Sequence, residues 1–416
     1  MSARARDAWL IWGLGAAFYG YGFFQRVAPS VMADDLMRDF ALGGALLGSL
    51  AAAYFYAYAA VQIPVGILLD RFGPRWLLIG GSALASAGSL LFALAESYLG
   101  ALLGRALIGA GVGFGFISAL KLASSWFPAE RFARMAGLTL AVGIAGGISA
   151  QAPLAAAVDA FGWRATMVAG ALVPVLLGLM IAAVVRNRPE DRGADPAPAQ
   201  PKVRGRAGLA ILRSAELWLL TVYAGCTGAP ILVLAGLWLV PYLSQVQGLA
   251  RAEAGAVASL LLGAWAIGSP LAGWLSERIG QGWAMVIGPA ALTASFLPFS
   301  MVPGLPLIAV LFLSMAIGLA GGFMILAFAY ARHRYGSEQA GTATGVVNSS
   351  VLLIGAALQS LMGWLLDLQW TGLQAEGARI YTESAYRWAF LTLCLATGLA
   401  LLSGMLLKLR EAAPAG

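Results

Sequence analysis

The sequence predicts an all-α membrane protein with twelve transmembrane helices in two pseudo-symmetric six-helix bundles. Three observations predict it: apolar stretches long enough to span a bilayer recur throughout, basic residues collect in alternate loops, and the two halves repeat each other. Of the 416 residues, 60% are hydrophobic and 11% charged, more apolar than a water-soluble domain needs for its core.

A spanning helix takes about 20 mostly apolar residues. Such stretches lie at 9–32, 44–69, 76–95, 98–124, 133–157, 164–185, 216–243, 252–275, 283–302, 306–331, 340–366 and 385–407. The first follows Arg4 and Arg6, but it is too long for a signal-peptide core and has no small-residue cleavage site, so it reads as an uncleaved span. With the N-terminus in the cytoplasm, most of the 26 Lys and Arg residues fall in cytoplasmic loops, among them Arg71, Arg75, Arg131, Arg134, Arg278, Arg332 and Arg334. The positive-inside rule then places both termini in the cytoplasm of a multi-pass bacterial inner-membrane protein. The formal charge of +7 reports that topology and calls for no nucleic-acid partner.

The segment 186–213, rich in Arg, Pro, Asp and Ala, cannot bury a core and reads as a cytoplasmic linker. It joins an N-terminal bundle, 1–185, to a C-terminal bundle, 214–416. Cys226 and Cys394 lie within separate spans and His333 is the lone histidine. That leaves no material for a disulfide framework, a metal site or a nucleophilic triad. No cofactor is expected, the reading is not that of an enzyme, and a monomer in the lipid bilayer is expected.

The repeat is clearest after the second span. Gly66-Ile-Leu-Leu-Asp70-Arg71-Phe-Gly73-Pro-Arg75 returns as Gly273-Trp-Leu-Ser-Glu277-Arg278-Ile-Gly280, and a duplicated bundle places a substrate site near the midplane between halves. This stretch resembles the signature loop between helices 2 and 3 of the major facilitator superfamily, and the resemblance extends over all twelve spans. It implies a secondary or facilitative transporter working by alternating access. Gly66, Asp70, Arg71, Gly73, Arg75, Gly273, Glu277 and Arg278 would form its gating motif, with charge-assisted hydrogen bonds holding the cytoplasmic face.

Three cations fall inside spans: Arg26, Arg105 and Lys121. Each costs roughly 2.5–3.5 kcal/mol at mid-bilayer, and no Asp or Glu lies at comparable depth to offset it. An anionic substrate would supply the missing partner, with Arg26 as its first contact and Gln25 and Tyr19 nearby; the alternative is an arginine snorkelling to the outer interface. Arg105 begins Arg105-Ala-Leu-Ile-Gly109-Ala-Gly111 and resembles the superfamily's fourth-helix arginine. Substrate binding and a structural hydrogen bond both stand open for it. Lys121 lies about 160° around a regular helix from Arg105, close to Trp126 and the cytoplasmic boundary, where snorkelling and substrate binding are both open to it. Tyr54, Tyr58 and Gln62 share one face of span 2, and Asn348 and Gln359 one face of span 11. These stripes suit a wet cavity wall or, member by member, interhelical hydrogen bonds. Gly143, Gly147 and Gln151 in span 5 and Gly318, Gly321 and Gly322 in span 10 read as packing seams.

The helix-1 arginine before Pro29-Ser30, with an arginine in helix 4, resembles organic-anion branches of the superfamily. The surrounding Tyr21-Gly-Phe-Phe-Gln-Arg-Val-Ala-Pro-Ser also resembles a proteobacterial subgroup that includes amino-acid and siderophore carriers. In the anion:cation symporters an acidic residue stands where this chain has Gln25 and a glutamate where it has Val112, so little proton coupling is expected. The leading expectation is transport of a small organic anion such as a carboxylate. Transport of amino acids, peptides, siderophores or amphiphilic drugs is the second, and a non-transporting membrane ligand sensor is the alternative of another class.

Overall fold

The computed structural model describes residues 3–188 and 211–412, so most of the expected linker, with Arg192, Lys202, Arg204 and Arg206, lies outside the described residues. The chain forms two compact units: Met1–Asp35 with Ala53–Ala197, and Leu36–Ala52 with Pro198–Gly416. The second therefore takes a segment from early in the sequence, which a division at the linker alone does not anticipate. The helices are α1 (Ala3–Val27), α2 (Ala33–Asp39), α3 (Gly44–Leu94), α4 (Tyr98–Val112), α5 (Gly115–Trp126), α6 (Phe132–Ser149), α7 (Ala152–Phe161) and α8 (Trp163–Val184). They continue as α9 (Ala215–Val233), α10 (Leu239–Gln245), α11 (Arg251–Ile279), α12 (Gln281–Met301), α13 (Leu307–Gly321), α14 (Ile325–Leu368) and α15 (Glu383–Ala412).

Among the described residues, eleven helical stretches are long and apolar enough to cross a membrane. The twelfth expected span corresponds to α1, whose 25 residues include four glycines, two tyrosines and Gln25 between Trp12 and Arg26 and are correspondingly less apolar. Spans and helices differ where glycine or proline interrupts the chain. The fourth span divides into α4 and α5 at Gly113, and the fifth into α6 and α7 at Ala150–Gln151, just before Pro153. Conversely, the expected loop around Arg332, His333 and Arg334 is helical within α14; the stretch contains no proline to stop it. Side chains on the outer surface invert the soluble rule: Ile308 and Phe312 are exposed, as a lipid-facing belt requires.

In the first unit, α1 is the central helix, packed by α5 and α6. Ala8, Trp12, Ala16, Ala123, Phe127 and Met135 form a buried cluster at one end, where Trp12 donates to Thr139 at 3.0 Å. On span 5, Gly143 of the expected seam lies against Tyr19 and Phe23, and its neighbour Gly146, which the expected seam did not include, meets the backbone of α1: a Cβ on Gly146 would lie 2.0 Å from the Gly20 carbonyl oxygen. The two copies of the repeat share an unusual backbone, with Gly73 at φ 76°, ψ 165° and Gly280 at φ 87°, ψ 149°. Only glycine adopts that region without strain, which explains the residue at both ends of the repeat.

In the second unit, 83% of the apolar window in Ala215–Gln245 is buried, against 22% for Trp163–Val184 in the first, so the former is a core helix and the latter peripheral. Gly318 and Gly322 in and after α13 admit the backbone of α11 within 2.3 Å of a would-be Cβ, the packing seam expected of span 10. At the other edge, Glu376 (φ 51°) and Gly377 (φ 86°) make a two-residue turn of the primed type, pairing Gln374 with Arg379. That hairpin delivers Arg379 and Tyr381 to Asp367 at the end of α14. Asp367 Oδ1 accepts from the Gly44 N–H at 2.8 Å, Arg379 Nη1 at 2.9 Å and the Tyr381 hydroxyl at 2.7 Å, and Oδ2 accepts from the Ala45 N–H at 2.9 Å. A carboxylate on the first turn of α3 satisfies N–H groups that have no partner within the helix. Burial and the neighbouring carboxylate push the Tyr381 phenol well above its usual range, so it remains a donor at physiological pH. Asp367→Asn leaves one of these donors unsatisfied and is expected to cost about 2 kcal/mol, read as a lower thermal midpoint. An unchanged midpoint would mean that water replaces the bonds at no loss.

Candidate functional site

The strongest assembly of sequence-expected residues lies in the first unit around the last turns of α1. A helix brings Tyr19, Phe23 and Arg26 to one face because they are spaced by four and three residues. The second span contributes Tyr54, Phe55 and Tyr58. The Arg26 Cζ atom lies 4.3 Å from the Phe23 ring centroid, 5.4 Å from Tyr58, 5.9 Å from Phe55 and 6.0 Å from Tyr54. Arg26 is 7% exposed, its Nε has no hydrogen-bond partner, and no acidic partner faces it among the described residues. The guanidinium is packed inside the unit rather than extended into solvent. The ring faces supply quadrupole attraction but no anion.

On the other face of the same turn, Gln25 is fully buried. Its Nε2 donates to the Tyr21 hydroxyl at 2.6 Å and to Ser89 Oγ at 3.2 Å, and Tyr21 and Ser89 are 2.8 Å apart. Arg105, 1% exposed, donates Nη1 to the Gln25 carbonyl oxygen at 2.8 Å and sits 5.1 Å from the Tyr54 ring. Tyr54 thus has two guanidiniums near its ring, and its own hydroxyl donates to the Gly22 carbonyl at 2.8 Å.

The remaining expected residues divide. Gln62 is half-buried, within hydrogen-bonding reach of Tyr58. Lys121 is half-buried on α5, beyond the break at Gly113 that separates it from Arg105. Asn348 and Gln359 belong to the second unit: Asn348 is half-buried, and Gln359 is fully buried and serves as a helix–helix tie. Its Nε2 donates to the Leu232 carbonyl at 3.1 Å, and its own carbonyl accepts from Trp238 Nε1 at 3.1 Å. Trp238 ends a π-helical turn, Leu234–Trp238, of the kind found often at functional positions. In the motif after the second span, Asp70 and Arg71 are exposed and Gly66 has open space around it. Arg75 Nη2 donates to the Ala182 carbonyl at 2.6 Å and its N–H to Asn187 at 3.0 Å, so this motif arginine ties the loop to the end of α8 within its own unit. In the repeat, Gly273 is half-buried, Glu277 is exposed and Arg278 lies 4.8 Å from the Trp274 ring.

The sequence reading did not single out Ser89, Phe23 or Phe55 as members of the Arg26–Gln25 assembly, nor Arg379 and Tyr381 as partners of Asp367. The Glu376–Gly377 dipeptide, a signal for a two-residue turn, was the available clue to the last pair.

Helices of membrane length, with the buried guanidiniums of Arg26 and Arg105 in the first unit, define a polytopic membrane protein. The chain belongs to the Major Facilitator Superfamily, whose family model matches residues 12–360 and 234–416. It is 27% identical over 67% of each chain to a probable sulfoacetate transporter of Cupriavidus necator. It is 28% identical to the gentisate transporter of Corynebacterium glutamicum, over 89% of this chain and 83% of that one. It is also 25% identical to a membrane sensor protein of Salmonella typhimurium, over 88% and 86%. Among solved structures, a bacterial homologue of the human lysosomal transporter Spinster shares the fold, with a TM-score of 0.78 at 20% identity over 98% of this chain and 99% of that one.

Proposed function

We propose that the protein carries a small organic anion, a carboxylate or sulfonate, across the bacterial inner membrane by alternating access. Arg26 is its charge-neutralising contact. The observation that carries this reading is the Arg26 guanidinium itself: buried among four aromatic rings, without an acidic partner among the described residues, in the helix expected as the first membrane span. A cation in that position is expensive until an anion joins it. Tyr19, Tyr54, Tyr58 and Gln62 would line the same site, and Lys121 would favour anions near the cytoplasmic boundary. The two relatives named for sulfoacetate and gentisate support the same class. In this reading the chain is a monomer with both termini in the cytoplasm, two six-helix bundles joined by the 186–213 linker, and the Gly66–Arg75 and Gly273–Arg278 loops as gates.

The test is a thermal-shift screen of purified protein against sulfoacetate, gentisate, amino acids and lipophilic cations. At about 100 times its dissociation constant a ligand adds roughly 2.7 kcal/mol of stability. Stabilisation by an organic anion supports the proposal, and stabilisation by lipophilic cations or zwitterions alone contradicts it. The similarity to a sensor protein favours a second reading, ligand binding without transport; anion binding with no flux in liposomes would select it.

A further inference from the structure

We propose that Arg105 is a positioning residue rather than a substrate ligand: it caps the carbonyl that Pro29 leaves without a donor, and so fixes the turn of α1 that presents Arg26. In an α-helix each carbonyl accepts from the N–H four residues later. For Gln25 that residue is Pro29, which has no N–H. The helix ends at Val27, and a buried 3-10 turn, Ala28–Met32, follows. The Gln25 carbonyl is sealed from solvent, where a missing donor is costly. Arg105 Nη1 supplies the donor, 2.8 Å away from a helix 80 residues further along the chain.

The rest of the geometry agrees with a cap. The other guanidinium nitrogens, Nε and Nη2, have no partner, and Tyr54 and Phe92 lie 5.1 and 5.9 Å from Cζ. The backbone bond is therefore the guanidinium's one hydrogen bond among the described residues. Gln25 is held at its other end by Tyr21 and Ser89, which leaves the residue beside Arg26 little freedom to rotate. Gly109, one turn after Arg105, has no room for a Cβ against the Tyr54 backbone, so α4 packs directly on the second span, and a Cβ on Gly22 of α1 would lie 3.2 Å from Val112 at the end of α4. Among the described residues Arg105 pairs with no acidic side chain and bonds the main chain instead.

The inference rests on the proposed role of Arg26, but its first test needs no ligand. Hydrogen exchange across residues 22–32 is compared in wild type, Arg105→Gln, Pro29→Ala and the double variant. Arg105→Gln is expected to raise exchange about tenfold, the scale of one lost charge-assisted hydrogen bond. Adding Pro29→Ala returns an N–H to the Gln25 carbonyl and should restore wild-type protection. Unchanged exchange in Arg105→Gln, or no recovery in the double variant, overturns the proposal. If Arg105→Gln does not fold, recovery of folded protein in the double variant supports it and continued failure contradicts it. The second test is binding of sulfoacetate and gentisate: affinity lost in Arg105→Gln should return with Pro29→Ala. Protection that returns while affinity does not would make Arg105 a direct ligand. Wild type that binds neither anion counts against the proposed function and leaves the exchange result to decide the role of Arg105.

Discussion

Replacing Arg26 with methionine is expected to abolish anion binding while leaving the unliganded protein at least as stable as wild type. The two halves of this result have one cause. A guanidinium within a membrane helix costs up to roughly 2.5–3.5 kcal/mol, the figure for the centre of a span, and stacking against Phe23 and Tyr58 returns up to about 2 kcal/mol. Methionine fills similar volume, is flexible enough to lie along the same rings and makes sulfur–aromatic contacts of its own. The unliganded midpoint should therefore stay level or rise by the equivalent of about 1 kcal/mol, by the difference of those terms. The bound anion loses a buried charge partner, worth about 2–5 kcal/mol, or roughly 30-fold or more in affinity. A ligand-induced shift that survives in Arg26→Met would remove Arg26 from the site. A large fall in unliganded stability would make it a structural residue.

The second large effect is expected at Gly109. A Cβ there would lie 2.1 Å from the Tyr54 carbonyl oxygen and 2.8 Å from its carbonyl carbon, contacts with backbone that no rotamer change can relieve. Gly109→Val must push α4 away from the second span, at an expected cost of about 3 kcal/mol or more, and the same movement withdraws Arg105 from Gln25. Gly170→Ala, with open space around it, is the control and should be neutral or stabilising by about 0.5–1 kcal/mol. Gel filtration and thermal unfolding of both variants check the pair. Equal behaviour would mean that the α4 contact is softer than its geometry implies.

These two residues also show how far the sequence could be read. The fold was legible because a membrane span needs a minimum apolar length and because a duplicated loop keeps its glycines. Gly73 and Gly280 stand in the same backbone conformation 207 residues apart. Arg26 was legible as a charge in an apolar run, and Tyr54 and Tyr58 as a stripe on one face. The capping role of Arg105 was not, because helical periodicity says which face a residue occupies and nothing about which carbonyl of another helix it meets. Gln359 shows the same limit: its place in a polar stripe suited a cavity wall, whereas its bonds to Leu232 and Trp238 make it a tie between helices. The start of α3 is held by Asp367, a contact across 323 residues that no local pattern encodes. Span boundaries around Gly113 and Ala150 were displaced because hydropathy averages over the single residues that break a helix.

The central claim, an organic-anion carrier that uses Arg26, is tested most directly by counterflow in liposomes loaded with unlabelled sulfoacetate or gentisate, wild type beside Arg26→Met. The account predicts transient uptake of labelled anion by wild type, none by the variant, and equal accumulation with and without an imposed pH gradient. Anion uptake that persists in Arg26→Met, or uptake that occurs only when protons drive it, would contradict the account.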